Sequence, residues 1–389
     1  MHFTHEHLEL QRTAQQIIDK YINPHSNEWE EAGMYPAHEV FKHLGNAGLL
    51  GISKPVEYGG LGLDFSYEVA FTETLGTVRS LGVSASIGAQ TNMCTPALAQ
   101  FGSDELRREF LAPSIAGDMV GSIGVSEESA GSDVANIKTY ARRDGDDYVI
   151  SGNKMWITNG VQADWICLLA NTSQENAPHR NKSMIIVPMK TKGVSVTRKL
   201  DKLGLRSSDT AQLFFDEVRV PVRYRIGEEG QGFINQMKQF QEERLWVTAR
   251  AIRYLEMCVS DTIAYAEQRQ IFGGKVLDKQ VVYFKLAEMQ TEIEALRSML
   301  YRATEAYVNG ENVTRLASMA KLLAGRLSMR IPTECLQFWG GQGVMSENWI
   351  SQAYRDARFS AITGGANEVM LEIIAKEMGI HPAIRNKVR

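Results

Sequence analysis

The feature that most constrains the fold is a proline-free run from Val222 to Ile331 in a chain of 389 residues with ten prolines. Because proline interrupts helices, this run, rich in Glu, Gln, Arg, Leu, Met and Ala, favours consecutive long helices. Two apolar stripes follow helical spacing. They are Leu245, Ile252, Leu255, Val259 and Ile263, and then Val282, Leu286, Met289, Ile293, Leu296 and Leu300. With breaks at Gly273-Gly274 and Asn309-Gly310, we predict a C-terminal helical bundle over residues 233–389.

The middle third of the chain has short β-prone runs separated by turn residues such as Asp144-Gly145 and Asn159-Gly160. The runs are Trp165 to Ala170, Ser183 to Val187, Val194 to Thr197 and Ala211 to Val220. They predict a small antiparallel β domain over residues 121–232. The first 120 residues return to helical periodicity, which gives an α+β, mainly α, fold in three parts.

Charge and hydropathy exclude several classes of partner. The 42 basic and 46 acidic side chains give a net charge of −4, which argues against nucleic acid or an anionic membrane. We expect no membrane span, because no apolar run approaches roughly 18 residues. The N-terminus lacks the pattern of a signal or transit peptide. Four distant cysteines without a C-x-x-C pair argue against zinc and disulfides, so we expect a reducing cytoplasm.

Histidine placement narrows the chemistry. The cluster His2, His5 and His7 could bind a metal, but a solvated terminus is the favoured interpretation, and we expect no metal site. No histidine lies between Arg180 and Ile380. A histidine base from that half of the chain is therefore excluded.

Three polar, glycine-bearing clusters could contact a ligand, and each could also be purely structural. They are Gly124 to Asp133, Gly152 to Gly160, and Gln337 to Gly343 with the following Thr363 to Glu368. The first suits a polar heterocycle or a phosphate, since small residues allow close backbone approach. In the second, the indole of Trp156 lies two residues from the Thr158 hydroxyl, a pair that could cover an aromatic cofactor. None matches G-x-G-x-x-G, so a Rossmann site is not supported.

Together these segments resemble the acyl-CoA dehydrogenase family over essentially the whole chain. Six ordered matches carry the resemblance: Pro55 to Gly62, Gly124 to Asp133, Gly152 to Gly160, Leu213 to Pro221, Tyr265 to Gly273, and Gln337 to Gly343 with Arg355 to Arg358. The resemblance implies N-terminal helices, a β-barrel and a four-helix bundle, usually assembled as a tetramer. It also implies FAD, an acyl-CoA substrate and an electron-transferring flavoprotein as the partner that reoxidises the enzyme.

The resemblance also assigns roles to individual residues. Residues implied to hold FAD are Val125, Ser126, Trp156, Ile157, Thr158, Arg269, Phe272, Gln280, Gln337, Gly340, Gly341, Asn367 and Glu368, partly from a neighbouring subunit. Ser132 is implied to meet the flavin-side phosphates or the CoA portion of the substrate, with Arg244 and Gly364 also on the substrate side.

One departure concerns the catalytic base. Many members carry a glutamate in a Tyr-Glu-Gly-Thr loop, where this chain has Gly364. Either the protein is an inactive homologue or the base lies elsewhere. The segment Glu242-Glu243-Arg244-Leu245 resembles the one on which long-chain and isovaleryl-CoA dehydrogenases carry their glutamate, so we predict Glu243 as the base.

The predicted function is FAD-dependent α,β-desaturation of a medium-to-long or branched acyl-CoA, with methyl-branched thioesters such as citronellyl-CoA within that range. An acyl-CoA oxidase and a non-catalytic flavoprotein scaffold are the alternatives.

Overall fold

The computed structural model describes residues 1–385 and begins with a helical region. Most of its helices are short, because glycine, proline and polar turns interrupt them. They are α1 (His5–Ile17), α2 (Ser26–Ala32), α3 (Ala37–Asn46), α4 (Phe65–Leu75), α5 (Leu81–Gly88), α6 (Thr95–Phe101), α7 (Asp104–Leu106) and α8 (Ala112–Ile115). Asp64 caps α4 by accepting a hydrogen bond from the Ser66 amide at 2.8 Å. Since every residue of α4 except Tyr67 is buried, this helix lies in the interior between the N-terminal region and the bundle.

His7 corrects the expectation of a solvated terminal histidine cluster. Its ring is buried, stacks on Tyr67 at 3.7 Å between centroids, and its Nε2 lies 2.8 Å from the Ser66 hydroxyl. This residue therefore fixes α1 against α4.

A central sheet follows and contains the four predicted β-prone runs. Its strands are β1 (Gly121–Gly124), β2 (Tyr140–Asp144), β3 (Asp147–Thr158), β4 (Trp165–Asn171), β5 (Lys182–Pro188), β6 (Val194–Lys199), β7 (Thr210–Pro221) and β8 (Arg225–Ile226). The order along the sheet is β6-β7-β3-β2-β4-β5-β8, and β1 pairs with β4.

The prediction of an antiparallel β-barrel is wrong in two respects. The sheet is mixed, because β1 and β2 both pair with β4 in parallel. It is also open. One edge is β6, where the five residues after Val194 are exposed, and Arg198 and Lys199 place charge there. The other edge, β8, has only two residues and offers too few backbone groups to close the sheet.

Three long helices form the core of the C-terminal region, as the proline-free run predicts. They are α9 (Gly232–Gln268), α10 (Gln280–Val308) and α11 (Thr314–Trp339), followed by α12 (Trp349–Ala357), α13 (Asn367–Glu377) and α14 (Pro382–Arg385). A short hairpin of β9 (Gln270–Ile271) and β10 (Gly274–Lys275) joins α9 to α10 at the predicted glycine break. The long helices pack on one another and α13 packs on α11. The predicted apolar stripes are buried along them, except that Ile263 is partly exposed.

Among residues 1–385, no helix is long and apolar enough to cross a membrane. Cys94, Cys167, Cys258 and Cys335 are all free and buried. The predicted domain boundaries at 120/121 and 232/233 stay predictions; the first lies between α8 and β1, and the second lies one residue inside α9.

Candidate active site

The predicted base, Glu243, lies on the buried face of α9. Its side chain is only 9% exposed, and within residues 1–385 no donor hydrogen-bonds to its carboxylate. Burial raises the pKa of Glu243 to about 7, while the nearby positive charges of Arg244 and Lys321 act in the opposite direction. A carboxyl group with such a pKa exchanges its proton near neutral pH, which suits a general base.

Gly364 lies directly opposite this carboxylate, in the turn between α12 and α13. A Cβ atom at Gly364 would lie 3.6 Å from Oε1 of Glu243 and 3.1 Å from Cγ2 of Val247. The backbone here has φ +64°, a left-handed conformation that glycine adopts without strain. The chain therefore brings together the two positions that the resemblance connects with the base.

Helix α11 supplies two side chains to this site that sequence reasoning missed. The buried ammonium group of Lys321 donates a hydrogen bond to the Gly365 carbonyl, and its Cε would lie 3.9 Å from a Cβ at Gly364. Burial lowers the pKa of Lys321 to about 8, although Glu243 acts to raise it. Ser318, one turn earlier, accepts a hydrogen bond from Nη1 of Arg244 at 3.4 Å. No local sequence signal singles out Lys321, because only the packing of α11 on α9 buries its ammonium group beside the turn.

A buried ion pair holds the loop that follows β1 against β3. Nζ of Lys154 donates to the Val125 carbonyl and to Oε1 of Glu127, both at 2.9 Å. Glu127 also accepts hydrogen bonds from the Lys138 amide at 2.6 Å and the Thr139 amide at 2.9 Å. Burial acts to raise the pKa of Glu127, but the Lys154 charge and these donors outweigh it and lower the pKa.

Trp156, at the end of β3, has an unusual backbone. Its φ is +62°, in the left-handed region that bulky residues rarely adopt, and its indole is 53% exposed. The neighbouring amide of Met155 donates to the Ser126 carbonyl at 3.0 Å, which ties this strand to the loop after β1. An indole held outward at a strained position is typical of a ligand-contacting residue.

The side chains beside Trp156 differ in what they can reach. Thr158 and Ser126 are half-buried. Ile157 packs in the core of the sheet at 3% exposure. Only its backbone can contact a ligand.

A second group of predicted cofactor residues lies where the C-terminal end of α9 meets the C-terminal end of α11. Nη1 of Arg269 donates to the Tyr265 hydroxyl at 2.5 Å and to the Trp339 carbonyl at 3.3 Å. The rings of Tyr265 and Trp339 stack at 4.1 Å. The guanidinium lies 3.6 Å from where a Cβ at Gly340 would be, and a Cβ at Gly341 would have no atom within 4 Å. The turn thus exposes glycine backbone beside a cation, which suits a phosphate group.

The other residues predicted to bind FAD or substrate do not form one site within a single chain. Phe272 is 96% exposed with φ +46°, and Gln280, Gln337 and Ser132 are also exposed. Asn367 lies at the start of α13, with its Oδ1 2.4 Å from where a Cβ at Gly325 would be. That buried Oδ1 accepts no hydrogen bond within the described residues, while Glu368 beside it is exposed.

The residues present fit a large, partly aromatic and anionic cofactor such as FAD. An outward indole with nearby hydroxyls suits a heterocycle, and an arginine beside open glycine backbone suits a pyrophosphate. Among residues 1–385, no group of three or more His, Cys, Asp or Glu side chains could hold a metal ion. The arrangement combines residues suited to such a cofactor with a buried carboxylate on α9, which is typical of a cofactor-dependent oxidoreductase.

Comparison with known proteins identifies the family. Models of the N-terminal, middle and C-terminal domains of acyl-CoA dehydrogenases match residues 4–118, 122–218 and 230–379. The mitochondrial long-chain specific acyl-CoA dehydrogenase of Sus scrofa is 35% identical over 377 residues, covering 97% of this chain and 87% of that protein. The mitochondrial short-chain specific enzyme of Bos taurus is 33% identical over 370 residues, covering 95% and 89%.

The solved structures agree with the sequence comparison. The crystal structure of an acyl-CoA dehydrogenase from Geobacillus kaustophilus matches with a TM-score of 0.93 at 37% identity, covering 97% of this chain and 99% of that one. The chain belongs to the acyl-CoA dehydrogenase family, whose members are FAD-dependent oxidoreductases acting on acyl-CoA. The predicted family, enzyme class and cofactor are confirmed.

Proposed function

We propose that the protein oxidises an acyl-CoA to the α,β-unsaturated thioester with Glu243 as the base that removes the α-proton. One observation carries the proposal: a Cβ at Gly364 would lie 3.6 Å from Oε1 of Glu243. The position where many relatives keep their glutamate and the position of this buried carboxylate therefore face the same point. An inactive homologue would have no reason to retain a buried carboxylate there, because burying one is costly even beside the positive charges of Arg244 and Lys321.

Each part of the chain has a distinct task in this reaction. FAD, when bound, supplies the oxidant that accepts the β-hydrogen with its electron pair. Trp156, Thr158 and Ser126 would hold the flavin, and Arg269 with Gly340 and Gly341 would hold the anionic part of the cofactor. Glu243, ionised at and above about pH 7, takes the α-proton in an interior from which water is largely excluded.

Substrate length and electron acceptor are further parts of the proposal. We favour a medium-to-long or branched acyl chain, because the Gly364 to Glu368 turn resembles that of long-chain enzymes. Overall identity does not discriminate, since relatives named long-chain and short-chain align at 35% and 33%. An electron-transferring flavoprotein is the proposed acceptor.

We also propose a homotetramer, in which a neighbouring subunit completes the cofactor site. Phe272 extends from the β9–β10 hairpin almost fully exposed, and Val281, Tyr283 and Phe284 are exposed near the start of α10. Exposed large apolar side chains are typical of an interface. The predicted cofactor residues Phe272 and Gln280 lie in the same stretch of the chain.

Substitution of the base tests the function. Glu243→Gln keeps the shape and removes the basicity, so turnover should fall by about 10² to 10⁴ while FAD stays bound. The matched control is Glu242→Gln: Glu242 is also poorly exposed, but it accepts a hydrogen bond from the Tyr307 hydroxyl at 2.5 Å, which glutamine can still accept. The readout is anaerobic bleaching of the flavin by straight and branched acyl-CoAs.

Three outcomes would contradict the proposal. Near-normal turnover of Glu243→Gln would place the base elsewhere. Absence of bleaching with every acyl-CoA would favour the scaffold. Rapid reoxidation of the reduced enzyme by oxygen would favour the oxidase.

A further inference from the structure

Lys321 is the one titratable side chain that α11 brings to Glu243, and neither the sequence motifs nor the proposed mechanism gives it a role. It is completely buried, although lysine is among the residues least often found in protein interiors. Burying an ammonium group costs free energy unless a partner compensates. Its partners here are the Gly365 carbonyl, to which it donates, and the negative charge of Glu243.

We propose that Lys321 is a positioning residue that fixes the Gly364–Gly365 turn and keeps Glu243 ionised for proton abstraction. The inference rests on the proposed function of Glu243. Two geometrical facts support it. First, the ammonium group of Lys321 donates a hydrogen bond to the Gly365 carbonyl, in the turn that faces Glu243. Second, a Cβ placed on Gly364 would lie 3.9 Å from Cε of Lys321 and 3.6 Å from Oε1 of Glu243.

Few other charged groups near Glu243 could keep its carboxylate ionised. Arg244, on the same helix, and Lys321, on α11, are the charges within residues 1–385 that lower the pKa of Glu243. The turn of residues 363–366 contains no titratable side chain. Glu368, at the start of α13, acts on Lys321 by favouring its charged form.

Arg244 and Lys321 differ in how their charge depends on pH. Arg244 stays charged at every working pH, whereas burial lowers the pKa of Lys321 to about 8. The electrostatic support from Lys321 therefore holds below about pH 8 and fades above it. Since Glu243 titrates near pH 7, both groups are charged together in a window between these values.

The test separates charge from hydrogen bonding. Lys321→Gln keeps a donor for the Gly365 carbonyl and removes the charge, Lys321→Met removes both, and Lys321→Arg keeps the charge. The matched control is Lys202→Met, since Lys202 is also largely buried, with a pKa lowered to about 8, and donates to the Ser208 carbonyl at 2.7 Å. The measurement is kcat/KM of the FAD-loaded enzyme against pH.

We expect the acidic limb of the profile to move upward by about one pH unit in Lys321→Gln and Lys321→Met, at the low end of the effect of a nearby opposite charge. At pH 7 this shift is about a fivefold loss of kcat/KM. The loss should shrink above pH 8, where the wild-type lysine is itself discharged. Lys321→Arg and Lys202→Met should leave the limb in place.

A limb that stays in place in Lys321→Gln and Lys321→Met, even with lower turnover, would overturn the inference and leave Lys321 as an anchor of the turn. Infrared titration of the protonated carboxyl band, with Glu243→Gln as the blank, gives a second readout without turnover. The infrared titration also distinguishes failure of the proposed function of Glu243 from failure of the inference about Lys321. If Glu243→Gln stays active, the proposed base is wrong, yet the band still reports whether Lys321 controls the ionisation of Glu243.

Discussion

The proposed base should destabilise the fold at neutral pH, and Glu243→Gln should relieve that cost. A carboxyl with a pKa of about 7 in the folded protein and 4.5 in the unfolded chain keeps its proton longer when folded. Below the unfolded value both states are protonated and no cost arises. As the pH rises from 4.5 to 7, the unfolded state ionises first, so folding becomes less favourable, and the full cost is present above pH 7.

The magnitude follows from the two pKa values. A shift of about two and a half units, at 1.36 kcal/mol per unit, gives a maximum cost of about 3 kcal/mol. Between pH 5 and pH 7.5, the free energy of unfolding of Glu243→Gln should therefore rise relative to wild type by roughly 2 kcal/mol. The buried amide has its own cost, but that cost does not depend on pH and cancels in this difference.

Urea unfolding of both proteins at the two pH values, with FAD in constant excess, measures this difference. The control is Glu288→Gln on the exposed face of α10, where Lys285 lowers the pKa of the carboxyl by a hydrogen bond. A lowered pKa stabilises the fold as the pH rises, so removing this carboxyl should give no gain. The reasoning is refuted if Glu243→Gln gains nothing between pH 5 and pH 7.5, or if Glu288→Gln gains as much.

Two further predictions concern the cofactor loop and the glycine turn. Lys154→Met leaves the Glu127 carboxylate buried without its partner, so FAD retention, measured as the ratio of FAD to protein after gel filtration, should fall. The variant with Glu127→Gln added should recover part of it, and equal loss in both would show that the charge is not the cause. Gly364→Glu should restore part of the turnover of Glu243→Gln in the flavin-bleaching assay. The recovery should be only partial, because a non-glycine residue at φ +64° costs about 1 to 3 kcal/mol. Adding Val247→Ala should improve the recovery by relieving the 3.1 Å contact between Cγ2 of Val247 and the new Cβ. If turnover does not recover although FAD is retained, residues 243 and 364 do not face the same substrate carbon.

Local sequence was enough to predict the elements whose signals are local. The four β-prone runs coincide with β4, β5, β6 and β7 within one or two residues at either end. The breaks at Gly273-Gly274 and Asn309-Gly310 fall between the long helices, in the β9–β10 hairpin and directly after α10, where Gly273 and Gly310 adopt the positive φ that glycine permits.

Strand pairing and sheet closure could not be predicted in the same way. The parallel pairing of β1 with β4 joins Gly121 to Trp165, residues far apart in the chain, and nothing local encodes it. The resemblance implied a closed barrel. Closure fails because β6 is exposed on most of its length and β8 has two residues, and strand length and edge exposure follow from the tertiary fold.

In the candidate site too, local sequence predicts some residues, and tertiary packing alone reveals others. Glu243 is proposed from sequence because its neighbours resemble a known segment and because Gly364 leaves the alternative position empty. Lys321 was missed since Ala-Lys-Leu-Leu is an ordinary helical sequence, and only the packing of α11 on α9 shows that its ammonium group is buried beside the turn. The left-handed backbone of Trp156 was equally invisible, because it depends on where β3 meets the loop after β1.

The glycine at position 364 and the carboxylate at position 243 are two parts of one arrangement. A side chain at residue 364 would enter the space beside Oε1 of Glu243 and press on Val247, so the turn must stay bare for the helix carboxylate to reach that point. Glycine also permits the left-handed turn that directs the Gly365 carbonyl toward Lys321. In the proposed mechanism, helix α9 supplies the base, the turn leaves space for it, and α11 supplies a charge that balances the buried carboxylate. Changing any one of these three parts alone should lower turnover more than it lowers FAD binding, because Trp156 and Arg269, which are proposed to hold the cofactor, lie on other elements.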